Sequence, residues 1–135
     1  MLRLENWHSR LATYLASIAR TPWHPGSHDC VTFAADWRQA VTGVDLLGDF
    51  RGVYTTLEEG FDLLAAQGWT DHIAAATQGL TECPPLAATL GDLVAVQDGD
   101  RDLAMGGCGG PHLHVLTPRG LGTLPLTAAV RAWRL

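Results

Sequence analysis

Residues 24–37 read HPGSHDCVTFAADW, in which a proline-glycine turn and a short polar run lead directly into a cysteine and an apolar stretch. Asp29 is a preferred helix N-cap residue, and Gly43 is typical of the position that follows a last helical turn, so the sequence predicts a helix between them. Cys30 then lies in the first turn, where unpaired N–H groups and the helix dipole favour a thiolate. The alternative is that Cys30 is a small buried residue, as free cysteines often are.

Three further helices are predicted in the first half of the chain. Thr56 and Glu59 have the spacing of a capping box, which predicts a helix that ends near Gly68. The segment DHIAAATQ, residues 71–78, predicts a short helix after it. A helix of about four turns is also predicted at the N-terminus, because apolar side chains recur there at steps of three and four residues. Its stripe comprises Leu4, Trp7, Leu11, Tyr14, Leu15 and Ile18.

The second half of the chain breaks into short apolar segments separated by Gly, Pro and Asp, which is the pattern of an antiparallel sheet. The predicted strands are DLVAVQ, LAMGGC, HLHVL and LGTLPL, with a hairpin at GGCGG, a late turn at TAAVRA and AWRL at the end. Helices followed by strands indicate the α+β class. With 135 residues and 47% hydrophobic content, the chain is predicted to form a single domain over residues 1–135.

Charge and composition exclude several partners and compartments. Nine Lys and Arg residues against fourteen Asp and Glu give a net charge of −5, and the basic residues are scattered, so we predict no nucleic-acid binding. No apolar run is long enough to span a membrane, and the first residues lack the apolar core of a signal peptide. Three widely spaced cysteines argue against a disulfide framework, so we predict that Cys83 and Cys108 are unpaired thiols.

Four motifs in a fixed order resemble the NlpC-like family of papain-fold cysteine hydrolases. They are PWHPGSHDCVTFAADWRQAVTG, RGVYTT, GDLVAV at residues 91–96, and the ending LPLTAAVRAWRL. Together they look like a compact branch of that family that phages and prophages encode among their tail genes. The resemblance implies a papain-like NlpC-type fold, with N-terminal helices packed on a small antiparallel sheet formed by the C-terminal half.

The resemblance also implies a cysteine peptidase or amidase that acts on peptidoglycan stem peptides during cell-wall penetration. Cys30 would be the nucleophile, and the implied partners are other tail-tip or hub proteins and peptidoglycan. The protein would be made in the bacterial cytoplasm and then carried at the virion tail tip. No cofactor and no metal is implied.

The position of the base histidine departs from the family pattern. Active members have a histidine at the start of the strand that follows the Gly-Asp strand, whereas Asp102 or Leu103 stands there in this chain. Histidines come one strand later, in PHLHVL, where His112 and His114 would share one face because side chains alternate along a strand. Cys30, His112 and His114 are therefore the predicted catalytic residues.

Two alternatives follow from the same residues. The chain could be a catalytically inactive structural component of the tail tip that keeps the hydrolase fold, because a fold does not fix a function. Cys108, His112 and His114 also have the ligand chemistry of a zinc site, although no fourth ligand is evident.

Overall fold

The computed structural model describes residues 2–100 and 102–135, and within them four α-helices precede a six-stranded antiparallel sheet. The predicted α+β class is confirmed. The helices are α1 (Trp7–Ile18), α2 (Cys30–Thr42), α3 (Leu57–Ala66) and α4 (His72–Ala76). The strands are β1 (Thr81–Cys83), β2 (Leu93–Gln97), β3 (Leu103–Cys108), β4 (His112–Thr117), β5 (Gly120–Pro125) and β6 (Ala129–Arg134).

Helix α2 begins and ends at the residues that the sequence indicates. The Asp29 carboxylate accepts hydrogen bonds from the N–H groups of Val31 and Thr32, and the Thr32 hydroxyl accepts one from the Asp29 N–H, which completes a capping box. At the other end Gly43 adopts φ +81°, and its N–H donates to the Gln39 carbonyl. The prediction that Cys30 lies in the first turn of this helix is confirmed.

The other helices agree with their sequence signals, within a few residues at their ends. Helix α3 is capped as predicted, because the Thr56 hydroxyl accepts from the Glu59 N–H at 3.2 Å. Helix α1 begins at Trp7 rather than at Leu4, because Leu4 instead donates its N–H to the Val41 carbonyl of α2 at 2.8 Å. The N-terminal segment is thereby tied to α2 before the first helix starts.

The strand order in the sheet is β1-β6-β2-β3-β4-β5. The four strands predicted between DLVAVQ and LGTLPL are present, and the turn of the glycine-rich hairpin falls at residues 109–111 because Gly106 and Gly107 belong to β3. The prediction of a turn at TAAVRA is wrong in its second half. A 3₁₀ turn ends at Ala128 and β6 starts at Ala129, because this segment pairs with both β1 and β2.

The helices cover one face of the sheet, and α2 packs directly on β3. Trp37 is fully buried in this layer, where its indole N–H donates to the Gly91 carbonyl at 2.8 Å. The opposite face carries a second apolar cluster that contains Val94, Val96, Cys108, Leu113 and Ala132. Among the described residues, no helix combines the length and the apolar character that crossing a membrane would require.

Candidate functional site

Cys30 lines a cavity of about 1160 Å³ between the start of α2, the first half of β3 and helices α3 and α4. Apolar and aromatic side chains form much of its wall, and acidic side chains of the β2–β3 loop stand at one side. The lining residues include Trp23, Asp29, Tyr54, Phe61, His72, Asp98, Asp100, Asp102 and Met105. Cys30 itself is partly buried. The thiol thus stands at a helix start inside a cavity wide enough for a peptide-sized ligand.

Asp29 fixes the loop that leads into Cys30. One carboxylate oxygen caps α2, and the other accepts from the Gly26 N–H at 2.9 Å and from the Tyr54 hydroxyl. Gly26 has φ +86°, and a Cβ atom there would lie 1.9 Å from the Tyr54 carbonyl oxygen, so only glycine fits this approach. Burial, and then the hydrogen bond to Asp29, raise the pKa of Tyr54, so its phenol remains a donor.

The surroundings of Cys30 oppose ionisation of its thiol. Burial raises the pKa of Cys30, a hydrogen bond with the Met105 backbone lowers it, and the negative charges of Asp29 and Asp98 raise it further. The net direction is upward, which is contrary to the thiolate expected at a helix start. The effect of the helix terminus is outweighed because burial of the thiol and the nearby negative charges of Asp29 and Asp98 disfavour the thiolate. At neutral pH a base must therefore take the thiol proton during attack.

We expect iodoacetamide to alkylate Cys30 slowly at neutral pH, with a rate that rises only above the pH at which an unfolded thiol titrates, about 8.5. The raised pKa of Cys30 is the reason, because only the thiolate reacts. The rate would be followed by mass spectrometry of the Cys30 peptide from pH 6 to 10, with urea-unfolded protein as the control. A midpoint below that of the unfolded chain would contradict the prediction.

The structure does not bring His112 or His114 into the cavity with Cys30. His114 lies opposite Gly107 of β3 and packs on Trp37 with 6.1 Å between the ring centroids. Trp37 follows Cys30 by seven residues, which is about 10 Å along the helix axis. His112, two residues before His114 on β4, is exposed. The two histidines share one face as predicted, but His114 meets α2 at Trp37, about two turns beyond Cys30.

His114 is enclosed by its neighbours. A Cβ atom on Gly109 would lie 2.6 Å from His114 Nε2, and the Nδ1 atom is buried without a hydrogen-bond partner. Burial, and then the electrostatic effect of the nearby His112 ring, lower the pKa of His114, so the His114 ring is neutral at physiological pH.

Cys108 does not join the two histidines in a metal site. Its side chain belongs to the cluster on the opposite face of the sheet, and its thiol donates to the Gly110 carbonyl at 3.4 Å. Within the described part of the chain, no group of three or more His, Cys, Asp or Glu side chains is arranged to hold a metal ion. All three cysteines, each among the described residues, are free thiols.

His72 is the histidine that lines the cavity with Cys30, and sequence reasoning missed it. It is the first residue of α4, and its Nε2 lies 2.6 Å from the Leu103 carbonyl oxygen of β3. Because Leu103 is 31 residues away, no local spacing links the two. The only sequence signal is Asp71, which caps α4 by accepting from the Ala74 N–H and so places His72 at a helix start.

A family model described as "Domain of unknown function (DUF6950)" matches residues 2–135. No curated protein and no solved structure matches the chain.

Proposed function

Since the chain belongs to the DUF6950 family, whose description assigns no function, we propose from the geometry around Cys30 that it is a cysteine hydrolase of NlpC-like, papain-type fold. Its reaction is the cleavage of amide bonds in peptidoglycan stem peptides, and its location is the tail tip of a phage or prophage particle. One observation carries the proposal: Cys30 stands at a capped helix start and lines a large cavity together with Met105 of β3.

The cavity supports an amide-cleaving reaction at Cys30. The sulfur attacks the amide carbonyl carbon, a histidine takes the thiol proton and returns it to the leaving amine, and water then hydrolyses the thioester. The Met105 backbone lowers the pKa of the Cys30 thiol and therefore lies beside the sulfur, where its N–H would serve as a donor to the oxyanion. Sequence reasoning assigns the histidine role to His112 or His114, and this assignment stays a prediction.

The lining of the cavity suits a stem peptide. Trp23, Tyr54 and Phe61 offer aromatic surface to a small, flexible peptide, and Trp23 could also stack on a sugar ring. The carboxylates of Asp98 and Asp102 stand at the side of the β2–β3 loop, where they would attract the free amine that stem peptides carry on their diamino acid. Apolar walls with a few charged groups are the usual composition of a small-ligand site.

A structural role in the tail tip is the second candidate. It is favoured by the raised pKa of Cys30 and by the position of His114 against Trp37, outside the cavity. In this role the hydrolase fold serves as an assembly part, and its partners are the neighbouring tail-tip or hub proteins. Tail particles would then require the folded chain but not the Cys30 thiol.

Release of soluble fragments from purified peptidoglycan separates the two candidates. We expect the wild-type protein to release fragments and Cys30→Ala to fall to the level of a sample without protein, because the variant lacks the nucleophile. Thermal unfolding of both proteins is the control, since this substitution removes one sulfur atom. If wild type and Cys30→Ala release equal amounts, and phage carrying Cys30→Ala infect normally while phage lacking the gene form no tails, the structural role holds.

A further inference from the structure

The outer edge of β3 is open along its first half. Strand β4 pairs with β3 only from Gly106 to Cys108, whereas β2 pairs with β3 from Leu103 to Gly107. Cys108 exchanges backbone hydrogen bonds with Gly91 and Asp92 on the β2 side. Because backbone groups alternate along a strand, Leu103 and Met105 direct theirs to the other side, where β4 has diverged.

Two side chains occupy this open edge in place of a strand. The His72 ring meets the Leu103 carbonyl at 2.6 Å, and Cys30 lies beside Met105, whose backbone lowers the pKa of its thiol. Positions two apart on one side of a strand are about 7 Å apart, so the imidazole and the sulfur are neighbours along a single edge. Both line the same cavity.

The hydrogen bond to Leu103 sets the tautomer of His72. A carbonyl only accepts, so Nε2 carries the proton and Nδ1 of the neutral ring keeps its lone pair. The ring also packs near Phe61, with 6.2 Å between centroids. Arg38 of α2 holds α4 in place by donating to the Ala76 and Gln78 carbonyls at 3.0 and 2.9 Å. His72 is therefore held as an oriented imidazole with an available acceptor nitrogen.

We propose that His72 is the general base and acid for Cys30, an inference that rests on the hydrolase function proposed above. Nδ1 takes the thiol proton, directly or through one water, while sulfur bonds to the amide carbon and the carbonyl π electrons move to oxygen. The C–N bond then breaks as Nδ1 gives its proton to the leaving amine. Water hydrolyses the thioester, and its proton passes through His72 back to the sulfur.

The experiment compares fragment release from purified peptidoglycan by wild type, His72→Ala, His72→Gln, His112→Ala and His114→Ala. A glutamine amide can still donate to the Leu103 carbonyl but cannot carry the proton, so His72→Gln separates chemistry from folding. Both His72 variants should lose a factor of about 10²–10⁴ in rate, the typical share of a general base. If His112→Ala or His114→Ala shows this loss instead, while both His72 variants keep the wild-type rate, the assignment to His72 is overturned.

Rescue of the rate by added imidazole distinguishes a histidine that carries the proton from one that has only a structural role. Imidazole should raise the rate of His72→Ala at least about tenfold, because a free base can enter the space left in the cavity. It should not raise the rate of Cys30→Ala. Circular dichroism checks that each variant is folded. If the His72 variants are as active as wild type, the role of His72 is overturned and the hydrolase function is not. A wild type no better than Cys30→Ala would overturn the hydrolase function, and this inference with it.

Discussion

Replacing Asp29 by alanine should lower the free energy of unfolding by about 3–5 kcal/mol and abolish any activity that depends on Cys30. The variant loses the cap of α2, which is typically worth about 1 kcal/mol. It also leaves the buried Tyr54 hydroxyl and the Gly26 N–H without their acceptor, and such groups cost about 1–3 kcal/mol each when they stay unpaired. Because Cys30 is the next residue, its sulfur would lose its fixed position in the cavity.

Urea unfolding followed by circular dichroism measures this effect as a shift of the midpoint at an unchanged slope. Asp29→Asn is the matched control, because asparagine caps helices about as well as aspartate. Its amide would face the Gly26 N–H with a second donor, so a loss of about 1–2 kcal/mol is expected for this variant. A loss below about 1 kcal/mol in Asp29→Ala would show that the loop does not depend on this carboxylate.

Helix α2 could be predicted to the residue because its determinants are local. Asp29 and Thr32 satisfy the first N–H groups, and Gly43 supplies a positive φ at the end. Each signal acts over a few residues, so the sequence alone specifies where Cys30 stands. The same reasoning holds for Thr56 at the start of α3. Neither case requires knowledge of tertiary packing.

Strand β6 could not be predicted because its conformation depends on remote partners. Ala129 and Ala132 give a weak strand pattern, but β6 lies between β1 and β2 and bonds to both. Its register with β2 also shifts between Ala95 and Val96. Tertiary pairing of this kind overrides local propensity.

Only part of the candidate site could be predicted from the sequence. The alternation rule correctly assigned His112 and His114 to one face, but it could not say how far along α2 this face would meet the helix. The answer depends on the β3–β4 register, which sets His114 opposite Gly107 and next to Trp37. The same register leaves the edge at Leu103 open for His72. Both facts are properties of the assembled sheet.

The Gly-Asp pair that precedes β2 has a structural explanation that sequence reasoning did not supply. Gly91 adopts φ +96°, and a Cβ atom there would lie 2.9 Å from the Trp7 ring. Its carbonyl accepts from the indole of Trp37, which anchors α2. Asp92 is 1% exposed, and its carboxylate accepts hydrogen bonds from residues that are distant in the sequence. The pair therefore joins the helical layer to the sheet.

Replacing Asp92 by alanine should lower the free energy of unfolding by about 3 kcal/mol, near the lower end for breaking a buried ion pair. The carboxylate accepts from Arg3 and Arg134 at 3.1 Å each, from the Thr89 N–H and hydroxyl at 2.9 and 3.2 Å, and from the Leu135 N–H at 3.1 Å. Both arginines are partly exposed and can turn to water, which limits the loss. The two backbone N–H groups cannot move away as easily, so they carry most of the cost.

Thermal unfolding should accordingly show a midpoint about 10 °C lower for Asp92→Ala, at about 3–4 °C per kcal/mol for a domain of this size. Glu82→Ala is the matched control, because Glu82 also pairs with an arginine, Arg131, but both partners are exposed. An exposed pair contributes about 0–1 kcal/mol, so this variant should unfold within a few degrees of wild type. Equal midpoints for the two variants would mean that burial of Asp92 adds nothing to the stability of the fold. Apolar packing rather than this carboxylate would then hold the segments around Arg3 and Leu135.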